Sequence, residues 1–144
     1  MQNCSLADAL FKGARLLVIA PHADDETLGC GGTMARAKAL GAEVYVMVVS
    51  VGDLEHYSSE FTNVGGGRRM AEFKQAMETL DVDGTDILYT DEQTHLRVDV
   101  LPRRDLVAKI ERESPLAIDR LKPDILCFPA ISYNPTQRTN PTPS

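Results

Sequence analysis

The sequence predicts a Rossmann-like α/β domain with three α/β/α layers and a mainly parallel sheet. Apolar runs of strand length alternate with segments of helical periodicity, and these runs are almost continuously apolar, as in strands covered on both faces. The length of 144 residues suits a single hydrophobic core. We therefore expect one domain over residues 1–134 and a flexible tail at residues 135–144, where three prolines occur and apolar residues do not.

The predicted elements follow one another in strand–helix order. Apolar runs predict four strands, at residues 16–20, 44–49, 87–89 and 125–129. The helical spacing of apolar residues predicts three helices, at residues 27–40, 68–80 and 106–121, the last interrupted by Pro115. The polar, glycine-rich residues 50–67 are too many for an ordinary connection, and we predict a lid or binding loop.

The carboxyl ends of the strands are where parallel sheets bind their ligands. This rule predicts a functional rim formed by residues 21–26, 50–53, 91–95 and 130–134.

The composition excludes several classes of partner. A net charge of −6 argues against a general nucleic-acid or anionic-membrane surface, and no apolar run approaches the roughly 20 residues that span a bilayer. The first residues lack the basic and apolar regions of a signal peptide. Three cysteines, Cys4, Cys30 and Cys127, are too scattered for a disulfide framework. We expect a cytoplasmic protein with reduced cysteines, and Cys30 and Cys127 are predicted to be buried.

A cluster of His22, Asp24 and Asp25 directly follows the first predicted strand. An imidazole and a carboxylate three residues apart can share a zinc ion that keeps one position open for water. Such a water has a pKa near about 7, and a neighbouring carboxylate that is not a ligand can accept its proton. An acidic turn that caps the next helix has the same spacing. Its position at the carboxyl end of a strand favours the metal site.

Residues 17–33, LVIAPHADDETLGCGGT, resemble the signature of the LmbE-like or PIG-L family of N-acetylglucosaminyl deacetylases. Ala23 stands where that family usually has proline, and the resemblance extends over residues 15 to about 133. It implies that His22 and Asp25 bind Zn²⁺ or another divalent metal and that Asp24 is the general base. Glu26 is then expected to support the loop or the start of the helix.

Two further positions match the family. Arg69, at the start of the second helix, resembles an arginine near the polar end of the substrate, with a surface ion pair as the alternative. Asp91 resembles an aspartate at the sugar-binding rim, and an ordinary turn aspartate is the alternative. His56 and His95 lie on predicted loops as candidate proton donors or accessory ligands, although exposed loop histidines usually have no such role.

The chain departs from the family after the fourth strand. There the family has a third zinc ligand, a histidine, whereas this chain has Pro135 to Arg138 and no histidine after His95. The sequence therefore leaves three hypotheses open. The first is a zinc-dependent hydrolase that removes acetyl from an N-acetylglucosamine-type sugar conjugate, without nucleic acid or a membrane span and with homo-oligomer formation a further expectation. The second is a non-catalytic sugar-binding or oligomer-forming module. The third, a nucleotide-binding domain, is disfavoured because a Gly-x-Gly-x-x-Gly run is absent after the first strand.

Overall fold

One parallel sheet organises the part of the chain that the computed structural model describes, residues 5–51, 66–95 and 97–130. Its strands are β1 (Arg15–His22), β2 (Glu43–Ser50), β3 (Gly84–Tyr89) and β4 (Ile125–Cys127). They lie in the order β3-β2-β1-β4, and every pair is parallel. All four predicted strands are confirmed, with β4 ending before Pro129, which has no N–H to donate to a ladder.

Helices flank this sheet, which confirms the predicted α/β fold class. They are α1 (Leu6–Phe11), α2 (Asp25–Ala39), α3 (Gly66–Thr79), α4 (Glu92–His95), α5 (Arg103–Ala108) and α6 (Ile118–Leu121). The predicted helix at 106–121 is instead α5, a π-helical turn at Lys109–Glu113 and α6, with Pro115 in the break between them. None of the helices described here is long and apolar enough to cross a bilayer.

The two central strands supply most of the hydrophobic core. β1 is buried at Leu16, Leu17 and Val18, and β2 is buried at nearly every position from Val44 to Ser50. Such continuous burial is expected for strands covered on both faces. The helix α2 ends before Gly41, whose φ of +87° suits glycine at a helix terminus.

The register of the strands brings together three strand ends at which the functional rim was predicted. His22 at the end of β1 pairs with Ser50 at the end of β2, and Ser50 pairs with Tyr89 at the end of β3. The carboxyl ends of these three strands therefore meet at one edge of the sheet. Residues 52–65, which include most of the predicted lid, the predicted rim residues 52–53 and His56, lie outside the described residues. So do residues 131–144, which include the predicted rim residues 131–134 and the predicted tail.

Candidate active site

The junction between β1 and α2 is a tight acidic loop held by its own hydrogen bonds. Glu26 is only 2% exposed. Its Oε2 accepts the backbone N–H of Asp24 at 3.0 Å, and its Oε1 accepts the hydroxyl of Thr27 at 2.9 Å. The structure thus gives Glu26 the supporting position expected from the sequence. A buried carboxylate with both oxygens bonded inside one loop fixes the backbone of that loop.

His22 and Asp25 face each other across this loop. The His22 Nδ1 atom lies 3.4 Å from Asp25 Oδ2, and both side chains are about half exposed. Two donors on one tetrahedral zinc, each about 2.0–2.1 Å from the ion, are roughly 3.3 Å apart. The observed spacing therefore fits two adjacent ligands of one ion. Within the described residues, no third His, Cys, Asp or Glu joins them in a metal-sized cluster.

Asp24 occupies the N-cap position of α2, but its side chain does not cap the helix. Its carboxylate makes no capping hydrogen bond, and its backbone has φ of 120° and ψ of −33°. Such a backbone is unfavourable for a residue with a side chain, by about 1–3 kcal/mol, and is found most often at functional sites. The capping alternative is therefore wrong for Asp24. Asp25 does accept a backbone N–H, that of His22 at 3.2 Å, which lies outside the helix.

A second imidazole lies beside His22. The rings of His22 and His95 have centroids 5.3 Å apart and planes at 77°. His95 Nδ1 lies 2.9 Å from the hydroxyl oxygen of Ser50, which is fully buried. The sequence included His95 and Ser50 in the rim but gave no reason to join them. The only signal for Ser50 was a polar residue at the end of a buried strand, and the only signal for His95 was a histidine on a predicted loop.

Asp91 caps the start of α4. Its Oδ1 accepts the backbone N–H of Thr94 at 2.8 Å, and hydrogen bonds from the hydroxyl and N–H of Thr94 lower the pKa of Asp91. The side chain is exposed at the rim of the sheet. A role in binding sugar hydroxyls stays a prediction, because the observed contacts belong to the cap.

Arg69 shares a cleft with Asp24. This cleft, of about 370 Å³, lies between α2 and α3, and Glu72 and Phe73 also line it. On α3, the surface ion pair is formed by Arg68, whose Nε lies 2.9 Å from Oε1 of Glu72. Arg69 is therefore placed where a cation could contact a ligand that also reaches Asp24.

A larger cleft, of about 650 Å³, lies on the other side of the start of α2. Asp25, Leu28, Cys30, Cys127 and Phe128 are among its lining residues. The two cysteines are free thiols and are half buried rather than buried as predicted. Burial and the neighbouring Cys30 thiol raise the pKa of Cys127, so this thiol is a poor nucleophile.

Comparisons with known proteins agree on one family. A family model described as PIG-L, GlcNAc-PI de-N-acetylase, matches residues 17–138. A 1D-myo-inositol 2-acetamido-2-deoxy-alpha-D-glucopyranoside deacetylase of Geodermatophilus obscurus is 40% identical over 76 residues, which are 47% of this chain and 26% of that protein. The enzyme of the same name from Mycolicibacterium smegmatis is 37% identical over 78 residues, 49% of this chain and 27% of the relative.

Solved structures show the same similarity. The conserved protein TT1542 of Thermus thermophilus superposes with a TM-score of 0.64 at 28% identity, over 84% of this chain and 48% of that one. A deacetylase triple mutant of the teicoplanin biosynthetic pathway gives a TM-score of 0.55 at 26% identity, over 81% and 51% of the two chains. The chain therefore spans about a quarter of the length of these curated relatives and about half of these structures.

Proposed function

Because the chain belongs to the PIG-L family of GlcNAc-PI de-N-acetylases, we propose that it removes the acetyl group from an N-acetylglucosamine-type sugar conjugate. The observation that supports this most directly is the 3.4 Å spacing of His22 Nδ1 and Asp25 Oδ2. Asp24 lies beside this pair, with a carboxylate that does not cap α2. Two metal-type donors next to an uncommitted carboxylate suit metal-assisted hydrolysis of an amide.

Each side chain of the site then has a distinct role. His22 and Asp25 would hold Zn²⁺ or another divalent metal, which would supply polarisation of the amide carbonyl and a more acidic water. Asp24 takes the proton of the attacking water and can return it to the departing amine. Arg69 and Asp91 orient the sugar, Arg69 from the cleft that it shares with Asp24 and Asp91 from the rim.

A second candidate function follows from the number of ligands. The described residues bring only two metal donors together, and two protein ligands hold zinc more weakly than three. A non-catalytic module that binds a sugar, or that associates with itself, would need no third ligand. Metal content of the purified chain separates the two functions, because such a module purifies without stoichiometric zinc.

The direct test is amine release from N-acetylglucosamine conjugates, with added zinc and with chelator. We expect chelation to abolish release and Asp24→Ala to lower kcat by about 10²–10⁴-fold, the usual contribution of a general base. Asp119→Ala is the matched control, because Asp119 is an exposed aspartate in the first turn of α6. Release that persists in chelator, or in the Asp24 variant, contradicts the mechanism.

A further inference from the structure

Ser50 is a buried hydroxyl at the edge of the sheet where the proposed metal ligand lies. Its side chain is 0% exposed, and it is paired with His22 in the β1–β2 register. Its hydroxyl oxygen is 2.9 Å from His95 Nδ1. Because a buried hydroxyl without a partner is unfavourable, this hydrogen bond fixes the position of the His95 ring against the sheet.

The backbone of His95 is fixed as well. Asp91 accepts the N–H of Thr94 through its carboxylate at 2.8 Å, and it accepts the N–H of His95 through its carbonyl oxygen at 3.1 Å. The single turn of α4 ends at His95. The turn and the Ser50 hydroxyl therefore place the imidazole from two directions.

The ring of His95 contacts His22 in an edge-to-face arrangement, with centroids 5.3 Å apart and planes at 77°. This separation is within the range that aromatic pairs prefer. The His22 side chain is 46% exposed, and within the described residues its ring contacts Asp25 and His95. An imidazole binds a metal only along the lone pair in its ring plane, and rotation of His22 would turn Nδ1 away from Asp25.

We propose that His95 is a positioning residue that holds the His22 imidazole with Nδ1 toward Asp25 and is itself anchored by Ser50. The effect of His95 on metal affinity rests on the proposed function, whereas the orientation of the His22 ring is a property of the metal-free chain. His95 acts through packing on His22 and not through a bond from its own nitrogens to the ion.

The first experiment records the imidazole resonances of the metal-free 144-residue chain at one pH. The chain has three histidines, so a histidine-labelled sample gives three sets of ring signals, which His22→Ala and His95→Ala assign. We expect His95→Ala and Ser50→Ala to shift and broaden the His22 signals. Ser114→Ala is the matched control. Ser114 is also buried and hydrogen-bonded, to Asp86, and its removal should leave the His22 signals in place.

The second experiment measures zinc and cobalt affinity, with the cobalt absorption spectrum as a signature of the coordination. Loss of a group that orients a metal-binding histidine typically weakens affinity about 10–100-fold, and we expect this from His95→Ala. His95→Phe keeps an aromatic ring against His22 but removes both nitrogens. It should therefore retain more affinity than His95→Ala, with an unchanged cobalt spectrum.

Three results would overturn the proposal. One is an unchanged His22 signal in His95→Ala. Another is an unchanged zinc Kd in that variant. The third is equal loss of affinity in His95→Phe and His95→Ala, which would mean that a nitrogen of His95 acts directly. A wild-type chain that binds no metal would contradict the proposed function, while the resonances of the metal-free variants would still decide the role of His95. If His95→Ala does not fold, Ser50→Ala and His95→Phe give the same comparison.

Discussion

Replacing Glu26 tests whether a buried carboxylate holds the acidic loop in place. Glu26 accepts the N–H of Asp24 at 3.0 Å and the hydroxyl of Thr27 at 2.9 Å while only 2% exposed. A hydrogen bond to a charged group contributes about 1.5–3 kcal/mol, so loss of both bonds in Glu26→Ala should lower the free energy of unfolding by about 3–6 kcal/mol. Asp24 should also lose its fixed backbone, so kcat should fall.

Glu26→Gln separates the charge from the hydrogen bonds. The amide oxygen can still accept the N–H of Asp24, and the amide NH₂ can donate to the hydroxyl of Thr27, which rotates to accept. Two neutral bonds then replace two charge-assisted ones, and we expect a loss of about 1–2 kcal/mol. The glutamine variant should therefore be clearly more stable than the alanine variant.

Urea unfolding followed by circular dichroism measures both free energies. Glu113→Ala is the control, because Glu113 is an exposed glutamate whose contact with Lys109 is long, at 3.9 Å. An exposed pair of this kind contributes little, and we expect a change below about 0.5 kcal/mol. The proposal that Glu26 holds the acidic loop through its two hydrogen bonds is refuted if Glu26→Ala is as stable as the control. It is also refuted if the glutamine and alanine variants are equally destabilised.

Three other predictions concern single aspartates. Asp24→Gly should be at least as stable in urea as Asp24→Ala, because glycine tolerates the φ of 120° at this position. At a position with ordinary backbone angles, a glycine variant is less stable than an alanine variant by about 0.5–1 kcal/mol. An Asp24→Gly variant that is less stable than Asp24→Ala by this amount would contradict backbone strain at Asp24. Burial raises the pKa of Asp83, but the N–H of Val44 and the Lys38 ammonium outweigh it and the pKa is lowered. The stability that this carboxylate contributes is therefore complete above its unfolded pKa of about 3.9 and is lost as the pH falls through its lower folded pKa. Urea unfolding at several pH values should show that the difference in free energy of unfolding between wild type and Asp83→Asn decreases below about pH 4. A difference that is constant with pH would exclude this contribution of the Asp83 carboxylate. Asp91→Ser keeps a good cap but has no carboxylate, so stability should change by less than about 0.5 kcal/mol while KM for the sugar rises; an unchanged KM would restrict Asp91 to capping.

The sequence predicted the fold well because its central strands are buried on both faces. The runs in β1 and β2 are almost wholly apolar, and only a doubly covered sheet accommodates such strands. The rule for the carboxyl ends of strands then placed His22 and His95 on one rim from the sequence alone. Both inferences depend on patterns that extend over several residues, so one residue that departs from the pattern does not change the prediction.

The contacts within the site were not predictable in the same way. The helix α4 has only four residues, too few to show a period in the sequence, so the structure alone revealed that it presents His95. Nor does composition reveal that Glu26 is buried while Asp24 and Asp25 beside it are exposed. The exposure of each acid depends on the direction of its side chain at the start of α2. Successive side chains on a helix are rotated by about 100° around the helix axis.

The divergence of these three consecutive acids explains how one short segment can contain a proposed metal ligand, a proposed general base and the carboxylate that supports their loop. Glu26 points into the protein and bonds the loop, Asp25 points back to His22, and Asp24 borders the cleft that contains Arg69. Three carboxylates pointing the same way would repel one another, whereas these are separated by the turn of the chain. The buried acid fixes the backbone at Asp24 in an unfavourable conformation, and that conformation keeps the Asp24 carboxylate out of the helix cap. At this strand–helix junction, the direction of each carboxylate, rather than its residue type, separates the supporting Glu26 from the proposed ligand Asp25 and the proposed base Asp24.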